Sequence, residues 1–184
     1  MSIDGSRAVT VFGGSRVCPD SMEYNEARRL GGLLASNGFV LFNGGYYGTM
    51  EAAARGAKEV GGRTVGCTVD LLAGRPPNEW LDEEQRSTSL FLRLERLTAR
   101  ADAFIALRGG VGTLLEVALV WNLAQLDGRA RKPVILVGAA WQEVLRVLSR
   151  ELYVRSEDLA HMETVDSVDE AVLRLRELLR QPIA

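Results

Sequence analysis

Two stretches of the sequence carry residue types able to hold an anion. One is Asn43-Gly44-Gly45-Tyr46-Tyr47-Gly48-Thr49-Met50-Glu51. The other is Arg108-Gly109-Gly110-Val111-Gly112-Thr113-Leu114-Leu115-Glu116. Each lies between an apolar run and a helical pattern. A helix start offers N–H groups without intrahelical partners and the positive end of the dipole, so it attracts phosphate. Glycine lets the main chain approach the oxygens closely. Neither stretch is a Walker loop, because no Lys-Ser or Lys-Thr follows the glycines, and neither fits G-x-G-x-x-G. Tight packing alone also calls for such turns, so the glycines by themselves leave both uses open. Thr113 and Glu116 stand at capping-box spacing, in which Glu116 satisfies the helix start. Behind three glycines at a strand end, the same carboxylate can also face a ligand. Ser167 and Glu170 repeat the spacing without glycines, and there it predicts a cap alone.

The elements that must position these turns alternate along the chain. Apolar runs predict strands at Ala8–Phe12, Phe39–Phe42, Thr64–Val69, Ala103–Leu107 and Pro133–Val137, with a short one near Met162–Val165. Helical spacing covers Ser21–Asn37, Gly48–Val60, Thr88–Arg100, Thr113–Leu126, Trp141–Arg150 and Val168–Arg180. Gly38 and Gly61-Gly62 are suitable terminators. Leu71–Glu84, with Pro76-Pro77, reads as loop. Strands that are continuous apolar runs, alternating with helices, predict an α/β fold. Its parallel sheet is doubly wound and covered by helices on both faces. Ligands in such folds bind beyond the carboxyl ends of the strands, at a topological switch point. Both glycine-rich turns fall there.

Two helices carry further information. Thr88–Arg100 places Leu90, Leu94 and Leu97 at core spacing, with Arg93, Arg96 and Arg100 on another flank. By position alone Arg93 is a solvated arginine. Thr113–Leu126 is apolar nearly all round, with Glu116, Asn122 and Gln125 its strongly polar residues. Such a helix has no wet face and is expected to be buried on both sides. One side packs on the sheet. The other meets either a partner subunit across a two-fold axis or the C-terminal helices.

Composition narrows the classes. The 184 residues fit a single domain over 1–184, long enough to bury roughly 70% of the surface the unfolded chain exposes. A net charge of −2 argues against a nucleic-acid backbone binder while leaving room for a small nucleotide. All but two of the 22 basic residues are arginine; the lysines are Lys58 and Lys132. Two cysteines, Cys18 and Cys67, and one histidine, His161, cannot build a multi-cysteine zinc site. Both thiols are expected to be reduced and partly buried in a cytoplasmic protein. No signal core and no membrane span is expected.

The segment Gly109–Glu116 resembles the P-G-G-x-G-T-x-x-E motif of the LONELY GUY (LOG) family, often mislabelled as lysine decarboxylases. Other blocks agree in order: Phe12-Gly13-Gly14-Ser15, Gly44–Met50, Gly61–Gly66 and Ala101–Phe104. Arg93 falls where the family carries the arginine of R-K-x-x-M. The resemblance covers roughly residues 8–140. It implies a Rossmann-like homodimer, here expected to pair through the Thr113–Leu126 helix. It also implies a phosphoribohydrolase that needs no cofactor and no metal. Such an enzyme splits the N-glycosidic bond of a nucleoside 5′-monophosphate, often an N6-modified AMP, to free base and ribose 5-phosphate. Arg93 and Glu116 inherit the catalytic roles. Gly109, Gly110, Val111, Gly112 and Thr113 inherit the phosphate turn, with Ser15, Gly44, Gly45, Gly48 and Met50 completing the substrate site. Tyr46 or Tyr47 is available to the base or to packing.

The sequence departs from the motif at several points. Leu94 replaces the lysine, Arg108 the proline, Asn43 the third glycine and Thr49 a leucine. The molybdenum-cofactor carriers resemble the same family, so the alternative is a non-catalytic holder of a nucleotide or pterin phosphate. The decarboxylase label fails on chemistry, because neither lysine sits on a candidate ligand turn to hold pyridoxal as a Schiff base.

Overall fold

The computed structural model describes residues 5–72, 74–126 and 132–180. Residues 1–4, 73, 127–131 and 181–184 of the expected 1–184 unit lie outside those described. Among the described residues seven strands form one parallel sheet: β1 (Ala8–Phe12), β2 (Val40–Asn43), β3 (Thr64–Val69), β4 (Glu83–Ser87), β5 (Ala103–Ala106), β6 (Val134–Val137) and β7 (Glu163–Val165). Their order across the sheet is β4-β3-β2-β1-β5-β6-β7, and every pairing is parallel. The chain winds outward from β1 through β4, then returns to the other side of β1 with β5. The switch point therefore lies between β1 and β5.

The described residues also form the α-helices α1 (Met22–Ser36), α2 (Thr49–Glu59), α3 (Leu90–Ala99), α4 (Val111–Leu126), α5 (Ala139–Glu151) and α6 (Ser156–Leu159) between strands, and α7 (Val168–Arg180) after the last one. Side chains alternate across each strand and so feed two cores. Val9 and Val11 join Tyr24, Leu30 and Leu34 of α1, the alanines of α2 and Leu175 of α7. Ala8 and Phe12 join Leu97 of α3, Val117 and Val120 of α4 and Trp141 of α5. Both faces of the five inner strands are thus dry, which explains their unbroken apolar sequences. Ser21 caps α1, accepting from Tyr24 N at 3.2 Å, and Ser89 caps α3, accepting from Leu92 N at 3.2 Å.

Several expectations are corrected. Glu83–Ser87 is a strand, not the end of a loop; its inner residues face water at the sheet edge, so no apolar run marks it. The loop is also shortened at its start by a 3-10 turn at Asp70–Leu72. Helix α4 begins at Val111, two residues early, which places Thr113 inside the helix rather than at its cap. Leu90 is exposed, because α3 buries Leu94, Leu97 and Thr98 instead. Cys67 is buried as expected, whereas Cys18 is exposed. At α7 the cap is half as expected: Ser167 accepts from Glu170 N, but the Glu170 carboxylate accepts from Asp166 N rather than Ser167 N.

Candidate functional site

The ends of β1 and β5 are laced together. Leu107 N donates to Phe12 O at 2.9 Å and Gly14 N to Arg108 O at 3.2 Å. This fixes the turn after β1 beside the turn after β5, at the switch point. Thr49 N, at the start of α2, donates to Gly14 O at 3.0 Å and draws the turn after β2 into the same place. Between these turns lies a cleft of about 180 Å³.

Seven of the expected site residues line it: Ser15, Gly44, Met50, Arg93, Gly112, Thr113 and Glu116. Phe12, Gly13, Tyr46, Leu72 and Arg75 complete its principal walls. Gly45, Gly48, Gly109, Gly110 and Val111 do not line the cleft. Gly45 and Gly48 sit in the turn backbone at φ 81° and 72°. A Cβ at Gly109 would lie 2.1 Å from Thr113 Oγ1, and Gly110 and Val111 stand exposed at the start of α4. Tyr46 is a buried wall residue whose hydroxyl accepts from Val69 N at 2.9 Å and donates to Val69 O at 3.2 Å, while Tyr47 is exposed.

The charged centre is the pair Arg93–Glu116. Arg93 Nη1 donates to Glu116 Oε1 at 3.2 Å, with side chains only 11% and 10% exposed. The rest of the guanidinium is tied to the main chain: Nε donates to Cys67 O at 2.7 Å and Nη2 to Gly44 O at 3.4 Å. Arg93 is therefore not the solvated arginine its helix position suggests; it is a braced fork that fixes Glu116. Gly44 makes room for it, since a Cβ there would lie 2.1 Å from Nη2. Glu116 does not cap the helix. It sits in the second turn of α4 and spends its hydrogen bond on Arg93. Burial raises its carboxyl to about 7, and the Arg93 charge only partly offsets that rise. Burial also pushes the Cys67 thiol up to about 12, which removes it as a nucleophile.

Two departures from the motif acquire meaning. Asn43 braces its own turn: Oδ1 accepts from Gly45 N at 2.7 Å and Nδ2 donates to Met50 O at 3.0 Å. Leu94 is buried on the inner side of α3, so Arg93 is the cation that α3 contributes to the cleft. Arg75 was not legible as a site residue, because it lies in a stretch that has no periodicity. Among the described residues no cluster of potential metal ligands exists, and no helix is long and apolar enough to cross a membrane.

The outer side of α4 is open. Val111, Leu114, Leu115, Leu123 and Leu126 are exposed, and the C-terminal helices do not cover them. Beside them Trp121 Nε1 donates to Asp158 O at 2.7 Å next to α6.

Comparison with known proteins places the molecule. Residues 6–172 match the SLOG cluster4 family. A Mycobacterium tuberculosis protein named cytokinin riboside 5′-monophosphate phosphoribohydrolase is 32% identical over 183 residues, covering 94% of this chain and 95% of that one. The Mycobacterium marinum protein of the same name is 32% identical over 152 residues, covering 79% and 81%. Among solved structures, the molybdenum cofactor binding protein of Rippkaea orientalis superposes with a TM-score of 0.74 at 26% identity, covering 95% of this chain and 98% of that one.

Proposed function

This chain belongs to the SLOG cluster4 family, and on that premise we propose that it is a phosphoribohydrolase of nucleoside 5′-monophosphates, of the N6-modified AMP type. The observation that carries the reading is Glu116: a buried carboxyl with a raised pKa, braced by Arg93, on the wall of a cleft between two glycine-rich turns.

The chemistry follows from that placement. Cleavage breaks the bond between C1′ and the base nitrogen and passes through an oxocarbenium-like state, which a carboxylate stabilises. Water supplies oxygen to C1′ and a proton to the departing base. A carboxyl that titrates near neutral pH is suited to take the proton from water and return it to the base nitrogen. Arg93 holds Glu116 in place and keeps its oxygen in register. Gly112 and Thr113, at the start of α4, offer N–H groups to the 5′-phosphate.

The test is release of free base, followed by chromatography, from a panel of nucleoside 5′-monophosphates that includes N6-modified AMP. Release from at least one member is expected. A second reading, a holder of a pterin phosphate, draws on the buried Leu94 in the lysine position and on the likeness to the Rippkaea protein. Thermal stabilisation by such ligands with no base release from any nucleotide sinks the hydrolase in favour of the holder.

The open face of α4 supports pairing of two copies across a two-fold axis, as one helix supplies a self-complementary apolar stripe. Light scattering should give twice the 20.1 kDa chain mass. A monomer at working concentration contradicts it.

A further inference from the structure

We propose that Arg75 is a second anion-binding arm of the cleft, one that reads the 5′-phosphate; this rests on the nucleotide reading above. Arg75 lines the same cleft as Ser15, Gly112, Thr113 and Glu116. Among the described residues its guanidinium has no ion-pair or hydrogen-bond partner. Elsewhere arginines are commonly neutralised by a carboxylate, as in Arg28–Glu59, Arg29–Asp169 and Arg174–Glu163. Within the cleft the one carboxylate, Glu116, is already taken by Arg93. The cleft therefore carries an uncompensated cation before any ligand arrives.

The segment that bears Arg75 is held at both ends. Arg86 Nε donates to Asp70 Oδ1 at 2.5 Å at its start. At its end Asn78, which is buried, donates through Nδ2 to Gly45 O at 3.1 Å and to Tyr46 O at 2.8 Å. Arg75 N donates to Leu72 O at 2.8 Å and closes a turn between them. Pro76 follows at once and restricts Arg75 to extended backbone, and Pro77 stiffens the next step. The arginine is thus presented by a braced loop, which lowers the cost of ordering it on a ligand.

The chemistry of the ligand identifies what Arg75 reads. A nucleoside 5′-monophosphate has an uncharged base and sugar at neutral pH, so its phosphate is the one group that can pair with a free guanidinium. The planar fork suits two phosphate oxygens at once. Arg75 is a binding residue, separate from the Arg93–Glu116 pair, and it sets the preference for a phosphorylated ligand over the bare nucleoside.

The experiment is calorimetric titration of the full chain with AMP, adenosine and ribose 5-phosphate. It compares wild type, Arg75→Ala, Arg75→Lys and the distant control Arg100→Ala. Loss of one charge-assisted contact to phosphate is expected to cut AMP and ribose 5-phosphate affinity roughly tenfold or more, with adenosine unchanged. Lysine should recover part of that loss, and Arg100→Ala should leave all three affinities at the wild-type value. Equal AMP affinity in wild type and Arg75→Ala overturns the proposal, as does a wild type that binds adenosine as well as AMP. If phosphate preference depends on Arg75 while no nucleotide is ever cleaved, the hydrolase reading fails and the Arg75 assignment stands.

Discussion

The two glycine-rich turns look alike in sequence and do opposite things in the structure. The turn after β2 is filled from within. A Cβ at Gly44 would strike Arg93, one at Gly45 would lie 2.8 Å from Thr68, and one at Gly48 would lie 2.4 Å from Gly14 O. Asn43 and Asn78 clamp its backbone with buried hydrogen bonds. The turn after β5 is filled only at Gly109, where a Cβ would lie 2.1 Å from Thr113 Oγ1; beyond it the turn is open, and a Cβ at Gly110 or Gly112 would meet nothing within 4 Å. One turn uses glycine to let protein approach protein and so hold Arg93. The other leaves space against a helix start, where a ligand can approach. Glycine count therefore does not identify a ligand turn; what lies opposite the missing Cβ does.

Substitutions sharpen the contrast, and the largest effect is expected at the filled turn. Gly48→Ala places a side chain at φ 72°, ψ −130° against a backbone carbonyl, and should cost about 3 kcal/mol or more of stability in denaturant melts. The pH dependence of Glu116 comes next. Its pKa rises from 4.5 unfolded to about 7 folded, so the folded state holds the proton more tightly. Its contribution to stability is fully present below pH 4.5, falls as pH rises and levels off above pH 7. At ~1.36 kcal/mol per unit the fall is on the order of 3 kcal/mol. Glu116→Gln should abolish it, seen as a gain in relative stability of the variant at pH 8 over pH 4.5. A pH-independent difference between the two proteins contradicts the burial of that charge. Asn43→Ala removes two bonds from the filled turn and leaves Gly45 N–H buried without a partner, at a cost of about 1–3 kcal/mol. Gly112→Ala, at the open turn, should leave stability unchanged or raise it by up to about 1 kcal/mol, because alanine favours the helix. It should instead weaken ribose 5-phosphate binding. Equal destabilisation by Gly112→Ala and Gly48→Ala would erase the distinction between the turns.

Much of this was legible in the sequence, for physical reasons. Apolar runs with helical spacers can bury both faces of a sheet only one way, so the parallel doubly wound fold followed from β1, β2, β3, β5 and β6. Strand β4 escaped because Glu83, Glu84, Gln85 and Arg86 need no apolar face at a sheet edge. In the site, glycine spacing pointed to the turns, but spacing cannot tell a filled turn from an open one. Periodicity assigned Arg93 to a wet flank, since it does not register that the turn after β2 and the body of β3 offer it the carbonyls of Gly44 and Cys67. Arg75 lies where no repeat exists, and its role depends on loop anchors at Asp70 and Asn78 that only the folded chain brings together.

The measurement that bears most directly on the Arg93–Glu116 pair is base release from the best nucleoside 5′-monophosphate by wild type and Glu116→Gln, with binding of the same nucleotide measured in parallel. Wild type should release base with a rate that rises through about pH 7, and the variant should bind the nucleotide yet lose activity by ~100-fold or more. A variant that turns over at the wild-type rate would contradict the assignment of Glu116 to the chemistry.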